Sequence, residues 1–452
     1  MNPDARDPRG LERLFRPRSV AVVGASATPG KLGHVLLRNL IEGGFEGPLY
    51  PINRKEPEVL GLRAYPSLLD VEGDIDLIVV AVPAGAVLQV IDEAAAKGVG
   101  AAIVVSGGFR EAGNAEGERQ LVARARAAGI RLVGPNCQGL LYTPSRLNAT
   151  WPVTRGVGPI AVVSQSGTVA AAVAGWAASD GIGVSAALAL GNKTDVNEGE
   201  AIDFLASDGR TKAIAVYSEG LGDGAAFMDY LRRATAKVHV VLLRGGRTPV
   251  GHAAAQTHTK SLAGSYEVFA SLAEAAGAVV VGSLEELYDA TKALATLPRP
   301  AGNRVCIVTS SGGAGVLATD AGYEAGLALA RLDEAAMADL RSRLPSYCSV
   351  RNPMDLTGDA TAELYEVVLR RTASDPGVDA FLVIFGDPIA GAADMVRRMR
   401  AETAKPIAVA FLGGGEVEGR ELGEFAAAGL PVYPSPERAM RALGYLRRAA
   451  GT

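Results

Sequence analysis

The sequence predicts an α/β protein, parallel sheets covered by helices on both faces and divided into three domains. Three observations carry that expectation. Short β-branched runs alternate with helical patterns along the chain. Several of those runs end in Gly/Ser/Thr-rich loops that lead into a helix. The 452 residues include Gly 55, with hydrophobic residues at 48% and aromatics at only 5%, which suits packed layers of Ala, Val, Leu and Gly. At roughly 150 residues per domain, this length allows about three domains.

In the first 150 residues, strands are expected at Ser19–Val23, Pro48–Ile52, Leu77–Val82, Ala102–Val105 and Arg131–Val133. The first strand feeds a glycine-rich loop, Gly24-Ala25-Ser26-Ala27-Thr28-Pro29-Gly30-Lys31-Leu32-Gly33, ahead of a helix. Backbone amides and a helix N-terminus in such a loop can hold a pyrophosphate. The spacing is not GxGxxG. Where dinucleotide-binding folds place an acidic residue for the ribose, after the second strand, this chain has Asn53-Arg54-Lys55. Basic groups there suit an extra ribose phosphate, either that of NADP or the 3′-phosphate of coenzyme A; a solvated charge pair is the plain alternative. Val82-Pro83-Ala84, Ser106-Gly107-Gly108-Phe109 and Gly134-Pro135-Asn136-Cys137-Gln138-Gly139 open at the same strand ends, and their convergence reads as a cofactor site. Cys137 has no basic neighbour in sequence and reads as a lining residue, not a nucleophile.

A second region begins near Pro159, after an irregular passage from Leu147 to Gly158. Strand Ile160–Val163 leads through Ser164-Gln165-Ser166-Gly167-Thr168 into a helix, Val169–Ala178. Hydroxyls at that helix N-terminus can seat a phosphate or act as a plain N-cap, and both readings stand. Strands Val184–Leu190 and Ala213–Tyr217 follow, the latter ending in Ser218-Glu219-Gly220. Strand Val238–Leu243 then opens onto a glycine-rich stretch that starts at Gly245-Gly246 and runs on to Thr257-His258-Thr259-Lys260-Ser261. Arg247, Thr248, Thr257, Thr259, Lys260 and Ser261 offer donors for an anion, and a neutral His258 imidazole among them can attack a phosphoryl group. Glu219 is the candidate carboxylate to hold the ring tautomer and stabilise the imidazolium, with a solvated rim charge at a strand end as the plain alternative.

A linker, Leu297–Asn303, precedes the third region. There strand Val305–Val308 enters a helix through Thr309-Ser310-Ser311-Gly312-Gly313, a second candidate helix-end anion site facing the His258 domain, or an ordinary βα turn. Strands Phe381–Phe385 and Ile407–Phe411 continue that sheet, and Asn352–Asp359 reads as a rigid Pro-containing loop.

Composition excludes several classes. A formal charge of −4 gives no basic field for nucleic acid. Cys137, Cys306 and Cys348 are odd in number and lack metal-like spacing, so a reducing cytoplasm is expected and no disulfide framework. Met1–Arg18 is charged and lacks the apolar core of a secretory signal. Gly156 to Ser179 carries no charge and is long enough to span a bilayer, but its Gly, Pro and Ser interruptions break it into strand, loop and helix.

Four stretches together, Ser19-Val20-Ala21-Val22-Val23-Gly24-Ala25-Ser26, Gly134-Pro135-Asn136-Cys137, Ser164-Gln165-Ser166-Gly167 and Thr257-His258-Thr259, resemble the NDP-forming acyl-CoA synthetase family, which includes ADP-forming acetate–CoA ligase and succinyl–CoA ligase. The likeness runs from about Leu14 to the end and takes in Asn352–Ala360. It implies a Rossmann-like coenzyme A domain at 1–150, a flavodoxin-like domain with a phosphohistidine loop at 151–297, and a second flavodoxin-like domain at 298–452. It further implies that His258 is phosphorylated, that Glu219 supports it, and that Ser164, Gln165, Ser166, Gly167 and Thr168 hold the phosphoryl group; Ser310, Ser311, Gly312 and Gly313 stay a second candidate anion loop on the reading of their own residues. Coenzyme A would lie on Gly24, Ala25, Ser26, Lys31, Gly33, Asn53, Arg54, Lys55, Val82, Pro83, Ala84, Gly107, Gly108 and Asn136. Asp355 and Asp359 are candidates for an acyl pocket.

The family's nucleotide site sits on an ATP-grasp module that is not recognisable in this sequence. The resemblance therefore implies an α-subunit without a metal of its own, acting on a small carboxylic acid or acyl-CoA. A separate β-subunit would bring ATP, ADP and magnesium, in an α2β2 assembly or with this chain as a homodimer when alone. Neither nucleic acid nor membrane is an expected partner. One departure stands out: the family usually has glycine after His-Thr, where this chain has Lys260. Two other classes remain open. A coenzyme A-sensing subunit would keep the binding loops without phosphoryl transfer. An NADP-dependent oxidoreductase would use Asn53-Arg54-Lys55 but leave His258 and the Ser164 loop without a role.

Overall fold

A computed structural model describes residues 8–151, 156–251, 265–412 and 415–449. The chain forms two compact units, one of residues up to 175, 184–238 and 242–276, the other of 176–183, 239–241 and 277 onward.

The first unit contains a parallel five-stranded sheet in the order Leu49–Ile52, Val20–Val23, Leu77–Val80, Ala101–Val104, Arg131–Val133. The four strands from Val20–Val23 to Arg131–Val133 are buried at every position, as expected of a parallel sheet with helices on both faces. Strand order reverses between Val20–Val23 and Leu77–Val80. That switch point opens a crevice above the carboxyl ends of the strands, and the Gly24 and Val82 loops leave from its two sides.

After Val133 the chain crosses into a second sheet. Gly139–Tyr142 and Leu147–Thr150 form a hairpin that pairs antiparallel with Val184–Ala189, and Val157–Ser164 and Ala213–Ser218 continue in parallel beyond it. At Leu147–Thr150 and from Val157 onward this corrects the expectation of an irregular passage from Leu147 to Gly158. The run Leu-Asn-Ala-Thr lacks β-branched alternation, and its pairing is fixed from outside. Thr150 O accepts Asn39 Nδ2 at 2.7 Å from helix Leu32–Glu42, and the buried Thr150 hydroxyl donates to Asn148 Oδ1. The uncharged stretch from Gly156 to Ser179 resolves into strand Val157–Ser164 and helix Gly167–Ser179. No helix among the described residues is long and apolar enough to cross a membrane.

The second unit holds a parallel sheet in the order Ala328–Leu329, Arg304–Thr309, Ala380–Phe385, Ile407–Phe411, Val432–Tyr433, with Met354–Asp355 also pairing Arg304–Thr309. Its core packs Phe381, Phe385, Phe411, Phe425 and Tyr365.

The same clamp starts a sheet in each unit. Arg18 Nε and Nη2 donate to Asp76 at 2.9 and 3.1 Å, with the Arg18 amide on the same carboxylate; Arg304 repeats this on Asp379 at 2.8 and 2.9 Å. The arginine hydrogen bonds outweigh burial and hold both carboxyls below the usual range. A carboxyl with a lowered folded pKa contributes stability above its unfolded pKa of about 3.9, and that contribution is lost as pH falls through the folded value. Asp76→Asn should therefore lower Tm at pH 7, and its difference from the parent should shrink progressively below pH ~4. A difference unchanged between pH 7 and 3 would show that the Asp76 charge is not what stabilises.

Candidate functional site

The crevice of the first sheet is lined by loops whose polar groups largely hold one another. Gly33 sits where helix Leu32–Glu42 meets the first loop: a Cβ there would lie 1.9 Å from Gly24 O, so only glycine permits this approach. Ser26 Oγ accepts the Thr28 amide at 3.1 Å, and His34 Nδ1 lies 3.0 Å from Ser26 O. Lys31 is exposed at the position preceding the helix.

Asn53, expected at the ligand, is a brace. Its Nδ2 donates to Ala25 O at 2.8 Å while its Oδ1 accepts the Lys55 and Glu56 amides at 2.7 and 3.0 Å, joining the two strand-end loops. Arg54 and Lys55 stay exposed beside it. Sequence reading missed Glu56, whose Oε2 accepts the Ala27 amide at 2.8 Å and so engages one donor of the glycine-rich loop. Its spacing of three from Asn53 was the available signal.

Pro83 precedes helix Ala84–Lys97, and Ser106 Oγ donates to Val82 O at 2.5 Å. Beyond it, Glu111 Oε1 gathers the Gly108 and Phe109 amides at 2.6 and 3.0 Å. Burial alone would raise the Glu111 carboxyl, but hydrogen bonds from Asn192 and those amides leave it below the usual range. Asn136 adopts a left-handed φ of 58°, bonds its amide to Ser106 O at 2.9 Å and reaches Asn192 Oδ1 at 3.4 Å. Burial pushes the Cys137 thiol up to about 12, which fits a lining residue and not a thiolate.

The second sheet builds the other half. Ser164 Oγ donates to Ser166 O at 2.6 Å and accepts the Ser166 amide at 3.1 Å. The Ser166 hydroxyl in turn caps helix Gly167–Ser179 at the Val169 amide. Gln165 Oε1 accepts the Glu219 amide at 2.9 Å, tying this helix end to the end of strand Ala213–Ser218. Tyr217 OH donates to Glu219 Oε1 at 3.3 Å, and burial with the Glu219 charge pushes that phenol up to about 12, so it remains a donor.

The Gly245 amide donates to Ser218 O at 2.9 Å, and a Cβ at Gly245 would lie 3.4 Å from Glu219 Cγ. The chain thus sets out from beside Glu219 towards the stretch that contains His258. His258 itself, with Thr257, Thr259 and Lys260, lies outside the described residues. The two flanks of that stretch are joined, since Arg244 Nη1 donates to Ser265 O at 3.3 Å.

The second unit repeats the strand-end device. Thr309 Oγ1 donates to Ser311 O at 3.0 Å and accepts its amide at 2.9 Å; Ser311 caps helix Gly312–Glu324, and Ser310 Oγ accepts the Gly386 amide at 2.9 Å. A Cβ on Gly312 would lie 2.8 Å from Asp355 Oδ2, which places Asp355 at this helix end, whereas Asp359 is exposed. Asn352 holds its loop rigidly, accepting the Ile307 amide and donating to Val305 O and Ala330 O. Among the described residues no group of His, Cys, Asp and Glu is arranged to hold a metal.

These features match known proteins along nearly the whole length. A CoA binding domain matches residues 18–143, a succinyl-CoA ligase like flavodoxin domain 157–294, and a ligase-CoA domain 305–448. Acetate–CoA ligase (ADP-forming) I subunit alpha of Pyrococcus furiosus is 40% identical, the match covering 96% of this chain and 97% of that subunit. Acetate–CoA ligase (ADP-forming) I of Archaeoglobus fulgidus is 38% identical over 97% of this chain, but the chain spans only 63% of that longer protein. The solved dinucleotide-forming acetyl-coenzyme A synthetase 1 of Ca. Korarchaeum cryptofilum, in complex with phosphate and ADP, superposes with a TM-score of 0.91 at 38% identity, covering 98% of this chain and 97% of that one. With all three domains matched and likeness along nearly the whole length to such a subunit, the chain belongs to the ADP-forming acyl-CoA synthetase family, as a ligase chain of the α-subunit type.

Proposed function

We propose that this chain is the α-subunit of an ADP-forming acyl-CoA ligase that works through an acyl phosphate and a phosphorylated His258. The observation that carries the reading is the junction at Glu219. Its carboxylate lies where the chain departs at Gly245 towards His258, and its amide is held by Gln165 from the Ser166-capped helix end. A carboxylate there fixes the imidazole tautomer and stabilises the cation that forms, and the helix end stabilises the phosphoryl oxygens.

In the direction of thioester breakdown, a phosphate oxygen attacks the acyl carbonyl and the C–S bond breaks. Coenzyme A leaves as thiolate and takes up a proton. An imidazole nitrogen of His258 then attacks phosphorus, the acyl–O–P bond breaks, and the carboxylate departs. Synthesis runs the same steps in reverse. The loops of the first sheet would hold coenzyme A. Of the two ribose phosphates open to Arg54 and Lys55, the 3′-phosphate of coenzyme A accords with the family. Ser310–Gly313 offers a further helix end for an anion. A chain of the α-subunit type implies a partner subunit, which we assign the ATP-grasp module, ATP or ADP, and magnesium, in an α2β2 assembly.

The test is incubation of the purified chain with radiolabelled phosphate and a panel of acyl-CoA thioesters. Acid-labile, base-stable label with one thioester identifies both the phosphohistidine and the acyl group. Label with none of them, despite coenzyme A binding, overturns the reading in favour of a coenzyme A-sensing subunit. Glu219→Gln should slow label formation on the order of a hundredfold while leaving coenzyme A affinity unchanged. Equal rates in variant and parent remove Glu219 from the mechanism.

A further inference from the structure

Lys193 sits on the loop after strand Val184–Ala189 and has two unusual properties. Its backbone is left-handed, with φ 53°, in a residue that gains nothing from that region. Its ammonium is also withdrawn from water: the side chain is 10% exposed and faces Glu198, 2% exposed, at 2.7 Å. A buried Lys–Glu pair is a weak source of stability because desolvation offsets the attraction. The pair is better explained by what else it holds.

Lys193 Nζ donates to Gly220 O at 2.5 Å, and Ser218 Oγ donates to the same Glu198 Oε1 at 2.7 Å. The ammonium and the carboxylate thus grip the residues on both sides of Glu219. The amide of Glu219 is fixed from the opposite direction by Gln165. The preceding residue in the loop faces the first sheet: Asn192 Nδ2 donates to Glu111 Oε2 at 2.6 Å and Glu118 Oε2 at 2.7 Å, and Asn192 O accepts Arg110 Nη2 at 2.9 Å. Glu111 is the residue that holds the Gly108 amide. Two consecutive side chains therefore frame a coenzyme A-side loop and the Glu219 turn.

We infer that Lys193, through its pair with Glu198, is a positioning residue that sets the Glu219 carboxylate for phosphoryl transfer. This rests on the phosphohistidine reading above. Lys193 touches no reacting atom; its effect passes through Glu219. A misplacement of about 1 Å in a catalytic group can cost on the order of a hundredfold in rate.

The experiment is a double-mutant cycle on the full chain, with label formation from phosphate and acyl-CoA as readout. Lys193→Met with Glu198→Gln removes both charges together, so no unpaired buried ion remains. We expect label formation to slow by about thirtyfold, with half-saturating acyl-CoA and coenzyme A affinity within about twofold of the parent. In a Glu219→Gln background the same exchange should add less than about twofold, because the group it positions is already disabled. An equal factor in both backgrounds, or a rate equal to the parent with Glu219→Gln still impaired, overturns the inference alone. No label in the parent, or no effect of Glu219→Gln, overturns the reading on which it rests. If the double exchange does not fold, Lys193→Arg keeps the charge opposite Glu198 but cannot place one ammonium on both oxygens, and it enters the same cycle with the same criteria.

Discussion

His258→Ala is expected to remove all acid-labile label from the chain while leaving coenzyme A affinity within about twofold, since an alanine offers no nucleophile to the acyl phosphate. The first half of the reaction does not need that ring, so acyl phosphate should still form and be trapped as a hydroxamate. The sequence has four histidines. The buried His34 ring is engaged at Ser26 O, and burial with the nearby Arg299 charge holds His239 below its ordinary value. His252 stands six residues before His258, at the far end of the same glycine-rich stretch, and is the natural control. Label retained in His252→Ala and absent in His258→Ala assigns the nucleophile. The opposite pattern would move the nucleophile to His252 and take the supporting role at Glu219 out of its present argument.

Gly33→Ala should come close to abolishing coenzyme A binding. A Cβ at this position would meet a backbone oxygen, Gly24 O, at 1.9 Å, with Ala25 Cα at 3.0 Å, and no flexible side chain stands there to yield. Relief requires the helix to move away from the glycine-rich loop. Overpacking of this kind costs about 1–3 kcal/mol in stability. The accompanying distortion should weaken coenzyme A binding at least on the order of a hundredfold. Gly175→Ala is the matched control: nothing lies within 4 Å of a Cβ there, and the exchange lies in helix Gly167–Ser179. It should stabilise by about 0.5–1 kcal/mol without affecting binding. Isothermal titration with coenzyme A and thermal melting of both variants decide the matter. Full affinity in Gly33→Ala would mean that the glycine-rich loop is not the coenzyme A seat.

Much of the architecture is written in local patterns. The run Val-Ala-Val-Val ending at Val23 and the run Leu-Ile-Val-Val ending at Val80 read as buried strands, and the small and hydroxyl residues after Ser164 and Thr309 mark helix entries. The resemblance legible in the sequence rests on the same short strand-end segments, whereas the family match itself extends along nearly the whole chain.

Side-chain assignment beyond those segments required the tertiary structure. Asn53 looked like a ligand group because its position after the second strand is where such groups stand, yet its three hydrogen bonds all go to the protein's own backbone. Glu56 offered only its spacing from Asn53 as a sequence signal and Lys193 none, since each acts on a residue brought to it by folding: Ala27 for one and Gly220 for the other. The hairpin strand Leu147–Thr150 was invisible for a related reason, as its pairing depends on Gly139–Tyr142 and on Asn39 from a distant helix. The sequence by itself determined the parallel α/β layers, the glycine- and hydroxyl-rich strand ends and the family. Which polar groups at those ends remain open to a ligand and which are consumed in holding the loops was decided by the tertiary structure, because a hydrogen bond depends on an approach to within about 3 Å that no spacing along the chain specifies.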